Sequence, residues 1–330
     1  MFEWEVGYNM KRETTSIEKE ICAKFKRTQI PEAITIDSDG AVVTITLDGK
    51  KVVEDNMQDT GNAFEGWAIV AHICSQKDVV LKVNKITSFP KDSFIGHGHF
   101  NRFIYRIMKF SEQYNWFSVD SPLEAEINRF RDFIDKNVLV NNKPTKEAEE
   151  SDRIDENSIE KKLSEDGILK KVLGETPDIG TGKVYRQLPV GLFSGEKSKD
   201  TAVFTYGHSA IDLWNKDGNT INIIELKYNN NMIGIITEIF FYSNYMLDLV
   251  SNTGLFHLAE NEGDNCRGYA ELKKGMERVN GIMLANSYHP CIEDERCLKE
   301  LNKNKLKDRL KYYCVKYDAK IIVVDITGQD

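Results

Sequence analysis

The sequence predicts an α/β protein: a central mixed β-sheet flanked by helices in the C-terminal half, preceded by an N-terminal α+β domain. Three observations carry this. β-branched apolar runs interleave with stretches of helical periodicity along the whole chain. Two such runs flank Asn215-Lys-Asp-Gly-Asn219, which reads as the turn of a β-hairpin. A polar, acid-rich stretch with Pro144, residues 141–157, separates two segments that are each long enough to bury a core.

Residues 33–47 alternate apolar and polar about Asp37-Ser-Asp-Gly40, a hairpin pattern. Residues 62–75 place Phe64, Trp67, Ile69, Val70 and Ile73 at helical spacing, and 79–83 read as a strand. Residues 99–114 and 122–136 read as amphipathic helices, so the first domain spans 1–140. The second domain, 158–330, begins with a helix near 158. Strands follow at 183–193, 201–214 and 220–228, then a long helix from about Ile233 to Val250, and strands at 279–286 and 320–326.

The chain has 330 residues, 41% of them apolar and 29% charged, which is ordinary globular usage. The balance of 44 basic against 52 acidic side chains gives a net charge of −8. That argues against a small basic nucleic-acid binder but not against a nucleic-acid enzyme, because the local field counts for more than the sum. The six cysteines form no CxxC pair, which argues against zinc and for reduced thiols. The start, Met1-Phe-Glu-Trp-Glu, lacks the basic-then-apolar pattern of a leader, and no apolar run approaches bilayer-spanning length. A cytoplasmic location is expected. No GxxxxGK[ST] loop occurs, so an ATP requirement would have to come from a partner.

Chemistry concentrates in the second domain. Glu225 and Lys227 alternate with Leu226 on one strand, so both project to the same face. A suitable hairpin register brings Asp212 beside Glu225. Two close carboxylates repel, and a divalent cation relieves the repulsion. Mg²⁺ suits one or two carboxylates, a carbonyl and several waters. On the following helix, Glu238, Tyr242, Tyr245 and Leu249 share one face.

The order Asp212, a gap of 12 residues, then Glu225-Leu-Lys227 resembles the PD-(D/E)xK (restriction-endonuclease-like) nuclease superfamily, over about residues 156–290. Ile211 stands where the motif has proline. Glu238-Ile-Phe-Phe-Tyr242 resembles the Q-x-x-x-Y element of RecB-like members, with Glu for Gln. Ser158-Ile-Glu-Lys-Lys-Leu163 resembles the helix that carries a further acid, which makes Glu160 the candidate and Glu156 and Glu165 weaker ones. Arg186-Gln-Leu-Pro189 resembles the first strand of mismatch-directed and restriction-type members.

The resemblance implies a Mg²⁺-dependent hydrolase of DNA phosphodiesters, with Mn²⁺ substituting, in restriction, repair or foreign-DNA defence. Asp212, Glu225 and the Leu226 carbonyl are expected to hold the metal, Lys227 to position the nucleophile and Glu160 to complete the site. Glu238, Tyr242 and His208 are expected to support it; His208 shares the Asp212 face by i, i+4 parity.

For the triad the bland alternative is a solvated hairpin with a cross-strand ion pair, which the apolarity of Ile221, Ile223 and Ile224 opposes. For Glu160 it is a capping box from Asn157. His97 and His99 read as loop residues rather than as metal ligands. Lys303, Lys305, Lys307 and Lys311, interleaved with tyrosines, could meet phosphates or form a solvated helix face. Arg102, Arg106 and Lys109 form a similar, weaker patch. DNA is the expected partner, RNA the alternative nucleic acid, and the first domain would select substrate, a protein partner or a second copy in a homodimer. The competing functional reading is a nuclease-fold module that binds without turnover.

Overall fold

The computed structural model describes residues 12–59, 61–148, 155–206, 209–260, 265–318 and 322. The N-terminal half opens with α1 (Ser16–Lys24), capped by Thr15 and Glu18 in a reciprocal capping box. The expected hairpin follows as β1 (Ile34–Ser38) and β2 (Val42–Asp48), antiparallel with Ile34 opposite Leu47. Then come α2 (Gly49–Glu54), α3 (Phe64–Ser75), β3 (Asp78–Asn84), α4 (Gly98–Gln113), β4 (Phe117–Val119), α5 (Ser121–Lys136) and β5 (Leu139–Asn141). The sheet runs β1-β2-β3-β4, with β2, β3 and β4 parallel.

The C-terminal half contains α6 (Glu156–Leu163), α7 (Ile168–Leu173), β6 (Tyr185–Pro189), β7 (Leu192–Ser194), β8 (Ala210–Asp217), β9 (Thr220–Lys227) and α8 (Gly234–Val250). After these come β10 (Arg278–Ala285), α9 (Pro290–Glu293), α10 (Glu295–Leu301) and β11 (Leu310–Lys316). The sheet order is β11-β10-β9-β8-β6: β9, β10 and β11 are parallel, and β8 is antiparallel to both neighbours. The chain is thus mixed α/β, with helices against a central mixed sheet.

That sheet separates two apolar layers. Ile221 and Ile223 face α8 and the larger core. Leu213, Ile224, Leu226, Ile282 and Leu284 face Ile159 and Leu163 of α6 and Leu169 of α7. Alternation along a strand explains why β9 reads as continuously apolar: both faces are covered. The larger core continues into the N-terminal half, where Phe110 of α4 meets Phe240 of α8 at 5.2 Å between ring centroids. β5 pairs antiparallel with β7, which ties the halves a second time. Asn141, at the start of the polar 141–157 stretch, is buried and accepts from Tyr269 and from the Ala259 amide.

Three sequence expectations change. The run 201–214 becomes strand only from Ala210; Ala202, Val203 and Phe204 are buried from a loop, with Val203 N–H donating to Leu192 O at 2.7 Å. The run 183–193 divides into β6 and β7, which belong to different sheets. Residues 303–309 form turns rather than a helix face, because the Asn302 amide pairs with the backbone of Tyr312 in both directions, at 2.8 and 2.9 Å. The strand expected at 320–326 lies, apart from Ile322, outside the described residues.

Candidate functional site

Acidic side chains gather at the C-terminal ends of β9 and β10, where open α/β sheets offer ligand crevices. The β8–β9 hairpin runs from Asp217 opposite Thr220 to Leu213 opposite Ile224. One step further along this register, Asp212 falls opposite Glu225. There the Leu226 N–H donates to Asp212 Oδ2 at 2.8 Å rather than to a backbone carbonyl. An extended residue sends its N–H and C=O to the same side, so the Leu226 carbonyl also faces Asp212.

Glu225 and Lys227 are buried, at 2% and 8% exposure, which removes the solvated-hairpin alternative. Lys227 Nζ donates to Glu225 Oε1 at 2.6 Å and lies 3.1 Å from Glu238 Oε2. The Glu238 carboxylate is delivered by α8, which packs across the same face of the sheet. Glu225 Oε2 is buried with no hydrogen-bond partner among the described residues.

Glu160 approaches from α6, accepting from Gln187 Nε2 at 3.2 Å with Arg186 Nε at 3.8 Å. The capping reading fails for it, since Asp155 and Ser158 form the box at the start of α6. Glu156 Oε1 accepts the Tyr228 N–H at 3.0 Å, directly after Lys227. Tyr242, one turn beyond Glu238, is buried; its hydroxyl feels the charges of Glu225, Glu238 and Asp212, and burial with that field raises its pKa far above the usual phenol value.

Crowded, desolvated carboxylates resist ionisation. Burial lifts Asp212 to about 7, against the pull of Lys227 and the Leu226 amide. Burial and the Asp212 charge lift Glu160 to about 8. Glu225 is also raised, by burial and then by Asp212 and Glu238. For Lys227 burial disfavours the charge, but Glu225, Glu238 and Asp212 outweigh it and hold the ammonium. Among the described residues no three His, Cys, Asp or Glu side chains already form a closed cation cage. The available donors are nevertheless all hard oxygens, and Glu225 Oε2 is free to accept a cation.

Other expectations fall elsewhere. His208 lies outside the described residues. Glu165 is exposed and paired with Lys162 at 2.9 Å. Lys303, Lys305 and Lys307 precede β11, and Lys311 is in register with Asn280 and Asn222; the parallel sheet places them at the end opposite Glu225. Arg102 and Arg106 are no surface patch, being 1% and 0% exposed, and Lys109 pairs with Asp248 at 2.7 Å. His97 is exposed, while His99 turns to Arg102, so the two share no ligand.

Sequence reasoning assigned no role to the side chain of Gln187. It lies opposite Asp212 by register, takes φ +51° and bonds both Glu160 and Asn157. A positive φ at a non-glycine residue is stored strain of a kind that clusters at functional sites, and it leaves no mark in residue type. A cleft of about 350 Å³ beside Gly180 and Lys183 lies by the β8–β9 turn; Glu165 and Asp166 line it, but Asp212, Glu225, Glu238 and Glu160 do not.

No family model, no curated protein and no solved structure matches the chain. No helix of the described residues is long and apolar enough to cross a membrane.

Proposed function

We propose that the C-terminal half is a PD-(D/E)xK-type, metal-dependent nuclease that hydrolyses phosphodiester bonds in DNA. The observation that carries the reading is the convergence of half-buried Asp212 with buried Glu225, Glu238 and Lys227 in one cluster at a strand end. A solvated ion pair on a surface hairpin would be worth only about 0–1 kcal/mol, whereas here several carboxylates are drawn out of water around a single ammonium, more acid than a lone structural pair requires.

Asp212, Glu225 and the Leu226 carbonyl would hold Mg²⁺ or Mn²⁺. Bound there, the cation supplies charge to a phosphoryl oxygen and acidifies a water. Lys227, kept protonated by its acidic neighbours, orients the attacking water and offsets charge on the phosphate. Glu238 fixes the direction of the Lys227 ammonium. Gln187 and Arg186 hold Glu160 beside Asp212, where its raised affinity for a proton suits it to receive or return one near neutral pH.

One observation favours a second reading, a binding module without turnover: the Lys227 ammonium is already seated on Glu225 at 2.6 Å. A single experiment separates the two. The purified chain is incubated with Mg²⁺ or Mn²⁺ and single-stranded DNA, double-stranded DNA or RNA. Cleavage is expected in wild type, and loss by at least about 10³-fold in each of Asp212→Asn, Glu225→Gln and Lys227→Ala, with combinations no worse than singles because the three act as one unit. Wild-type rates in any of these folded variants would refute the assignment. Binding without cleavage, unaltered in the variants, supports the module.

A further inference from the structure

Two arginines one turn apart on α4 are buried in different ways. Arg106 carries its own counter-ion: Nη1 lies 3.2 Å from Glu65 Oε2, and Nη2 donates to the backbone and side-chain oxygens of Asn62 at 3.0 and 2.7 Å. Arg102 is just as deep, at 1% exposure, and its hydrogen-bond partners among the described residues are all neutral. Nη1 donates to Ser209 Oγ at 2.9 Å; Nη2 donates to Asn56 Oδ1 and His99 Nδ1, each at 3.0 Å. Its Nε has no partner among the described residues. Burial and the adjacent guanidinium lower the pKa of His99, so that ring accepts as a neutral imidazole.

A cation removed from water without a counter-ion is costly. Burial accordingly lowers Arg102 to about 10, and what opposes that is the field of the Glu238 carboxylate on α8. The guanidinium also stands 6.0 Å from the Phe241 ring on the same helix. Its Ser209 partner lies three residues before Asp212, immediately ahead of β8. Ser209 is held there by a Val190 N–H to Ser209 O bond of 2.8 Å, next to the pairing of Pro189 with Ala210. Arg102 therefore connects the N-terminal half to the start of the strand that carries Asp212, on the side facing Glu238 and Tyr242.

We infer that Arg102 is a positioning residue of the acidic site, clamping the start of β8 through Ser209 and setting its positive charge against a cluster in which carboxylates outnumber Lys227. This rests on the nuclease reading given above. Arg102 touches neither substrate nor metal; it acts through the placement of Asp212. The role makes the N-terminal half part of the catalytic apparatus. It also gives a use to a buried arginine that, among the described residues, donates to no carboxylate, beside one that has its own.

The test uses the full chain, Mn²⁺ or Mg²⁺, and whichever DNA the wild type cleaves. Arg102→Met is expected to lower kcat about 100-fold with KM within about twofold, as small misplacements of reacting groups do. Arg102→Lys, which keeps the charge but not the fork of donors, and Ser209→Ala, which keeps the charge but not the clamp, are each expected to lose about 10-fold in kcat. A folded Arg102→Met with wild-type kcat overturns the inference, as does a loss confined to KM, which would put the guanidinium on the substrate. Should Arg102→Met not fold, the other two variants decide, and wild-type kcat in both overturns it. A wild type that cleaves nothing sinks the nuclease reading and this inference together; a wild type that cleaves, with indifferent variants, sinks this inference alone.

Discussion

Glu65 and Arg106 set the scale for what a buried charge requires in this molecule. Both are fully shielded, and Glu65 Oε2 also accepts from Thr237 Oγ1 at 2.8 Å, so one carboxylate serves α3, α4 and α8 at once. Burial pushes the Glu65 carboxyl up, while Arg106 and Thr237 hold it down. Glu65→Gln keeps the shape but leaves Arg106 without a counter-ion. The expected cost is about 3–5 kcal/mol, because desolvation of the cation is then uncompensated. Urea unfolding measures it as a lower midpoint at constant slope. A loss below about 1 kcal/mol would mean that the pair is neutral in the fold. The same logic separates Lys227, which has two carboxylates within 3.1 Å, from Arg102, whose hydrogen-bond partners among the described residues are all neutral.

At the scale of elements, α8 matters most, since it is buried along its whole length and presents Glu238 to the sheet. Its approach to β10 is set by Gly281: a Cβ there would lie 2.5 Å from Ser243 Oγ and 3.0 Å from Ile239 Cγ1. Gly281→Ala is therefore expected to push α8 from the sheet, at a cost of about 1–3 kcal/mol in stability. It should also lower cleavage, because Glu238 moves relative to Lys227. Unchanged melting and unchanged turnover together would show that the helix yields freely at this contact. Much at this scale was legible in the sequence. α8 and β10 stand where periodicity puts them, and the parity of Asp212, Glu225 and Lys227 followed from strand geometry alone. The β8–β9 hairpin was legible too, but β8 runs on through Asn215, Lys216 and Asp217, so its turn is Gly218-Asn219 rather than the whole of residues 215–219. What was not legible depends on contacts distant in the chain. Ala202 to Phe204 look like strand but bury themselves from a loop. Gln187 takes its positive φ in the middle of the edge strand β6, where its side chain bonds Asn157 and Glu160, residues distant in the chain. Arg102 and Arg106 look like a solvated pair only until the burial of Phe100, Phe103, Ile104 and Ile107 around them is known.

For the whole molecule, the question is whether the halves fold apart. The polar 141–157 stretch suggests separate domains, yet the larger apolar core is continuous across it. Phe64, Tyr105 and Phe110 on one side share that core with Phe240, Phe241 and Tyr245 on the other, with Tyr105 and Phe241 meeting edge to face at 5.9 Å. Uncovering Phe240 and Phe241 alone would forfeit about 1.5–3 kcal/mol each. Total stabilities are about 5–15 kcal/mol, so a fragment spanning 155–330 cannot lose its cover and keep a fixed core. The full chain is accordingly expected to unfold in one calorimetric transition, with calorimetric and van't Hoff enthalpies equal. The 155–330 fragment should keep far-UV but lose near-UV circular dichroism and bind a hydrophobic dye. Two resolved transitions, or a fragment with native near-UV signal that still cleaves DNA, would show that the C-terminal half stands alone. In that case the link through Arg102 would be dispensable. A single transition together with an inactive fragment would instead tie catalysis to the intact core, since the guanidinium that clamps Ser209 comes from the half the fragment lacks.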